Sequence, residues 1–131
     1  MQEQCQSQSS YRELQIYQLS HSWAVEVHRF TLHLPRFEQH ETASHLRRAS
    51  KSVSANIVEG YGRRGYKADF IKFLVYAHAS CDESVEWLQY IGACHQSKAD
   101  EAETLKQQAE QISRKLNRFI QTVSASHRIS K

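Results

Sequence analysis

Eight histidines in 131 residues are the first place to look for chemistry, because imidazole binds metals and carries protons near neutral pH. Spacing decides whether they act together. In the run His40-Glu41-Thr42-Ala43-Ser44-His45 the two imidazoles are one residue further apart than in a helical zinc motif, which turns the second ring about 100° from the first. His21 and His28 lie two helical turns apart and need a third group to share a ligand, and His78 with Asp82 is an ordinary i,i+4 pair. No metal site follows from these spacings. Cys5, Cys81 and Cys94 are odd in number and make no CxxC, as reduced thiols of a cytoplasmic chain would. Cys81 lies on an apolar line and reads as a small hydrophobe. Gly60-Tyr61-Gly62 closes a helical pattern instead of following a strand, and no glycine-rich phosphate loop or strand-turn-helix elbow is present. We therefore expect no catalytic residue, no cofactor and no enzymatic activity.

Charge carries more information. The net charge is only +3, from 17 Lys and Arg against 14 Asp and Glu, but the charges are sorted along the chain. From Arg47 to Lys72 there are seven basic residues against Glu59 and Asp69, whereas from Ala77 to Ser113 seven acids face Lys98 and Lys106. Such sorting suits a basic surface for phosphate or for an acidic partner, and equally a solvated bundle whose charges pair between helices. The nucleic-acid reading assigns contacts to Arg47, Arg48, Lys51, Arg63, Arg64 and Lys67. The two ends of that set are separated by about 24 Å along one helix. Five neutralised phosphates would give a log K against log salt slope near −3.5 on a single strand.

These side chains need helices to carry them. A single Pro and four Gly leave too few turn residues for an all-β fold, and three-four apolar spacing recurs throughout. The first helix carries Ile16, Leu19, Trp23, Val27, Phe30 and Leu34 and should end at Pro35. The second, with Thr42 or Ser44 as cap, has a seam of Leu46, Ala49, Ser50, Val53, Ile57 and Gly60, and should end in left-handed glycine near Gly62 to Gly65. Arg48, Ser52, Asn56, Glu59 and Arg63 climb one flank of that seam, while Arg47 and Lys51 point away from it. Asn56 and Glu59 read as structural polar groups that a neighbouring helix covers.

The third helix has a core line from Phe70 through Leu74, Ala77, Cys81, Val85 and Leu88 to Gly92. A second line, Phe73, Tyr76, Ser80, Glu83, Trp87, Tyr90 and Cys94, runs along its back. A helix apolar on two faces needs two partners, so Phe73, Tyr76, Trp87 and Tyr90 are the expected oligomer interface. Ser97 to Asp100 resembles a capping box for a fourth helix bearing Leu105, Ala109, Ile112, Leu116, Phe119 and Val123. The fold class is thus all-α, an antiparallel up-and-down four-helix bundle over residues 11–124, with a polar tail at 1–10 and a basic tail at 125–131. No apolar run is long enough to span a membrane and MQEQCQSQSS has no apolar core, so neither a membrane span nor a secretory signal is expected.

The pattern Leu46-Arg47-Arg48-Ala49, Ser52 and Asn56-Ile57-Val58-Glu59-Gly60-Tyr61-Gly62-Arg63-Arg64, followed by Phe70-Ile71-Lys72-Phe73-Leu74, resembles the bacterial four-helix-bundle family of 23S rRNA-intervening-sequence proteins. The likeness extends to Tyr11-Arg12-Glu13-Leu14, Trp23-Ala24-Val25-Glu26-Val27, Ala77, Ser80 and Glu83. His45 stands where that family usually has Gln, His78-Ala79 where Arg-Gly is common and Cys81 where Leu is common. The resemblance implies an all-α bundle, ring-like homo-oligomers with a pentamer among the options, and no settled activity. A distant relative, the accessory variability determinant of diversity-generating retroelements, is similar in fold and works with nucleic acid and a reverse transcriptase. The expected partners are copies of this chain and a nucleic acid, RNA or single-stranded DNA; the alternative is an adaptor that docks another protein.

Overall fold

Four long helices account for most of residues 10–126, which the computed structural model describes: α1 Gln15–Thr31, α2 Thr42–Gly62, α3 Lys67–Cys94 and α4 Ala99–Ala125. Residues 1–9 and 127–131, which hold most of the two expected tails and Cys5, lie outside that range. Each helix packs on its neighbour in sequence and α1 closes the ring against α4, an antiparallel up-and-down bundle. The seam of α2 falls where its spacing put it, with Leu46, Val53 and Ile57 sealed from solvent. Opposite them stand Val27 of α1, Leu74, Ala77 and Cys81 of α3, and Ala109 and Leu116 of α4, all at 0% exposure. On α3 the core line drifts near its end, so Ser84 and Ile91 are buried while Val85 and Gly92 are only partly covered. Gly60 is where α2 and α3 come closest: a Cβ built there would lie 3.1 Å from Phe73 Cβ and 3.3 Å from the Phe70 carbonyl.

The helix ends differ from the sequence expectation. A short 3-10 turn, Tyr11–Glu13, precedes α1, so regular helix starts at Gln15. Helix α1 stops at Thr31, before Pro35, because the amides of Leu32, His33 and Leu34 bond three residues back in a tightened turn. Gln39 then reaches back from a second 3-10 turn, Arg36–His40, and donates its Nε2 to the Thr31 and Leu34 carbonyls at 2.7 and 3.1 Å. Neither Thr42 nor Ser44 caps α2; the Glu38 carboxylate accepts from the Thr42 amide at 3.3 Å instead. The chain leaves α2 without any left-handed residue, since Arg63 turns at φ −106° and no described residue has positive φ. The capping box at Ser97 to Asp100 does not form either. A 3-10 turn, Gln96–Lys98, leads into α4 with no side-chain cap.

Candidate nucleic-acid interface

The six basic residues of α2 and the following turn are dispersed by the fold. Arg47, expected to point outward, instead lies half-buried on the α1 flank, because its guanidinium supplies several donors that the crossover can use. It donates to Thr31 Oγ1 at 3.0 Å, to Gln39 Oε1 at 3.0 Å and to the Gln39 carbonyl at 2.8 Å, so it ties the end of α1 to the turn before α2. Arg63 sits between Glu59 and Asp69, at 3.0 and 3.4 Å, with its guanidinium 4.8 Å from the centre of the Phe73 ring. Arg64 covers the Tyr61 ring at 4.0 Å and donates to the Tyr61 carbonyl. Lys67 donates to the Ser126 carbonyl at 2.7 Å, beyond the last turn of α4, where the helix dipole favours a cation. Only Arg48 and Lys51 stay exposed without a carboxylate partner; Arg48 donates to Ser44 Oγ at 3.0 Å.

Asn56 and Glu59 divide. Asn56 is half-buried and donates to both Ser52 Oγ and the Ser52 carbonyl at 2.9 Å, and Ser52 Oγ in turn accepts from Ser80 of α3 at 3.0 Å. That chain crosses the α2–α3 boundary. Glu59 is not covered by a neighbouring helix: its side chain is 51% exposed and its pair with Arg63 lies at the surface.

Part of the flank of α2 meets the back of α3. Gly60 meets Phe73, Ser52 meets Ser80, and the His45 ring stacks on Trp87 with centroids 4.9 Å apart and planes at 17°. Trp87 also donates its Nε1 to Glu83 at 3.0 Å. Phe73 and Trp87 are therefore half-buried within the chain, and of the four residues assigned to an oligomer interface only Tyr76 and Tyr90 present open surface, 47% and 51%.

Three features escaped the sequence reading. His95 Nε2 and Glu38 Oε2 lie 2.7 Å apart, with side chains only 13% and 8% exposed, joining the two crossovers at one end of the bundle. Burial alone would raise the Glu38 pKa, but hydrogen bonds from His95 and Thr42 outweigh it and hold the carboxyl below its ordinary 4.5. The second feature is a Ser-His-Asp contact across α3 and α4. Ser113 Oγ is 2.9 Å from His78 Nε2, and His78 Nδ1 is 3.5 Å from Asp82. Acyl transfer would also need donors for an oxyanion. Ser113 lies mid-helix, where backbone amides are bonded along α4, and the contact links α3 to α4. The third is a groove between α1 and α2, where His21, His28 and Arg29 face Lys51 and Ser54 with no carboxylate in the lining. The seven-residue spacing of His21 and His28 was visible in sequence; the cation opposite was not.

The Cys81 thiol donates to the Ala109 carbonyl at 3.1 Å, and burial pushes its pKa up to about 12, which leaves it unreactive. Among the described residues no three His, Cys, Asp or Glu side chains converge as metal ligands, and no helix is long and apolar enough to cross a membrane.

A closed antiparallel ring of four helices, with a basic-lined groove between α1 and α2, defines an all-α bundle protein. Residues 12–118 match the family model of the 23S rRNA-intervening sequence protein, and the chain belongs to that family. It is similar to a solved protein of unknown function from the S23 ribosomal protein family of Bacteroides thetaiotaomicron VPI-5482. The two share 21% identity over 81% of this chain and 95% of that one, with a TM-score of 0.73, a likeness of fold. Among curated proteins none matches the chain.

Proposed function

We propose that this chain is a non-enzymatic, self-associating cytoplasmic bundle that binds single-stranded nucleic acid, RNA or DNA, across the outer face of α1 and α2. The observation that carries the reading is the charge on that face. Arg29, Arg48 and Lys51 are exposed and have no carboxylate partner among the described residues, and no acid lines the groove between the two helices. Elsewhere Arg63 is neutralised by Glu59 and Asp69, and Arg47 and Lys67 are held by the fold. Self-association is supported by Tyr76 and Tyr90 on α3, a large aromatic surface left uncovered by a lone bundle, and the ring is what the family resemblance adds.

With three free cations per protomer in place of five, the slope of log K against log salt on a single strand should be near −2. Gel retardation of mixed-sequence RNA and DNA at several salt concentrations measures it. The triple change Arg29→Gln, Arg48→Gln and Lys51→Gln should flatten the slope, and each exposed substitution should shift stability by less than about 0.5 kcal/mol. No retardation at about 50 mM salt and tens of micromolar protein, where nonspecific binders engage, would refute the reading in favour of a protein adaptor.

A further inference from the structure

We propose that the α1–α2 groove is a seat for one phosphoryl group, bracketed by Lys51 and Arg29 with the His28 imidazole donating from its wall. The inference refines the nucleic-acid reading, on which it rests for the source of the phosphate but not for the chemistry of the seat. The groove encloses about 490 Å³, within the roughly 300–1,000 Å³ range of small-ligand sites. Its titratable lining is entirely basic: His21 and Arg29 come from α1 and Lys51 from α2, with Arg47 of α2 near enough to act on His28. Two imidazoles at this spacing would suggest a metal if a carboxylate joined them. Here the surrounding groups are cations, which repel a metal ion and attract an anion.

The hydrogen bonding of His28 points the same way. Its Nδ1 is enclosed and has no partner. A buried N–H without an acceptor is costlier to tolerate than a bare ring nitrogen, so the proton belongs on Nε2, the nitrogen left to meet a ligand. Burial first, and then the charges of Lys51, Arg47 and Arg29, lower the His28 pKa from 6.5, so the ring waits as a neutral donor. An arriving phosphate anion offsets those cations and raises that pKa. Binding therefore favours the protonated His28 ring. The Ser54 hydroxyl, on a long 3.4 Å bond to the Lys51 carbonyl, is free to swing toward the same oxygen atoms.

The test is proton-nitrogen NMR of the full chain with ¹⁵N-labelled histidine. It is titrated with inorganic phosphate, with chloride at matched ionic strength, and with a single-stranded hexanucleotide. Saturable shifts of His28 and His21 with phosphate and not with chloride, and an upward move of the His28 pKa, are expected. Lys51→Gln should weaken the phosphate response about fivefold, the loss of one charged contact at a partly open site. Equal shifts of all histidines, or no saturable shift of His28 with phosphate, would overturn the inference. If the hexanucleotide binds in a salt-dependent manner while His28 stays unmoved, the seat falls and the nucleic-acid reading survives. Phosphate at His28 without hexanucleotide binding supports the seat for a small phosphate ligand and removes the nucleic-acid reading.

Discussion

Replacing Glu38 by Ala should be among the most damaging single changes in the connections, because one side chain there performs two tasks. Its Oε2 meets His95 at 2.7 Å and its Oε1 accepts from the Thr42 amide at the start of α2. Breaking a buried pair on one side costs about 3–5 kcal/mol and loss of a helix cap about 1 kcal/mol. His95 retains some solvent access at 13% exposure, so the lower end, about 3 kcal/mol in all, is the better estimate. For a domain of this length that lowers Tm by about 10 °C. Glu38→Gln keeps the shape and an acceptor for Thr42, and should cost about 1–2 kcal/mol. The pH dependence has a definite sign. A carboxyl whose folded pKa lies below its unfolded value stabilises the fold above the unfolded pKa, and that contribution is lost as pH falls through the folded value. The gap between wild type and Glu38→Gln should therefore be full at pH 7 and close below the ordinary carboxyl value of 4.5. Urea titrations followed by circular dichroism measure both quantities. A loss under about 1 kcal/mol for the Ala variant, or a wild-type-to-Gln gap unchanged on acidification, would refute the reasoning.

Glu59→Gln should shift Tm no more than Glu101→Gln, by under about 2 °C in either case, because the Glu59–Arg63 pair is half exposed; a markedly larger drop by calorimetry would place Glu59 in a buried network. Tyr76→Ser with Tyr90→Ser should lower the solution mass measured by light scattering while helical circular dichroism is kept, because both rings are open to solvent in the single chain; a monomeric wild type would remove the premise.

Fold and seam were legible because an amphipathic helix writes its buried face in three-four spacing. Leu46, Val53 and Ile57, or Leu105, Ala109 and Ile112, need only their own helix to be identified. What spacing cannot encode is which flank meets which. The polar line of α2 and the aromatic line of α3 were each visible, yet their contact through Ser52 with Ser80 and His45 with Trp87 depends on how the helices rotate against each other. Hence a stripe that looked like an interface for a second copy is half covered within the chain. Helix ends failed for a related reason. Glu38 replaces the nearer Thr42 and Ser44 as cap because the crossover folds into a 3-10 turn that points its carboxylate at α2. His95 lies 57 residues away from Glu38, beyond any local motif. The basic cluster is visible in sequence as a run of charges, but guanidinium groups also make good ties, and Arg47 and Arg63 are used that way.

The close approach at Gly60 bears on the order in which the chain folds. With no side chain at Gly60, α2 lies against Phe70 and Phe73 of α3, and the two helices are joined by a turn of only 63–66. They form a hairpin whose contacts are short in sequence, and such contacts close early because little chain entropy is lost. α1 has a longer road. Its crossover must be folded and its Trp23 must find the Leu105 carbonyl, 82 residues away. The α2–α3 hairpin should therefore be the nucleus and α1 the late arrival. In stopped-flow experiments, truncating Ile57 or Leu74 should slow folding, whereas truncating Val27 should mainly hasten unfolding; the reverse pattern would assign the nucleus to α1. Gly60 should thus act on the route to the native state as well as on its packing, and Gly60→Ala should delay folding even where the finished bundle makes room for the methyl group.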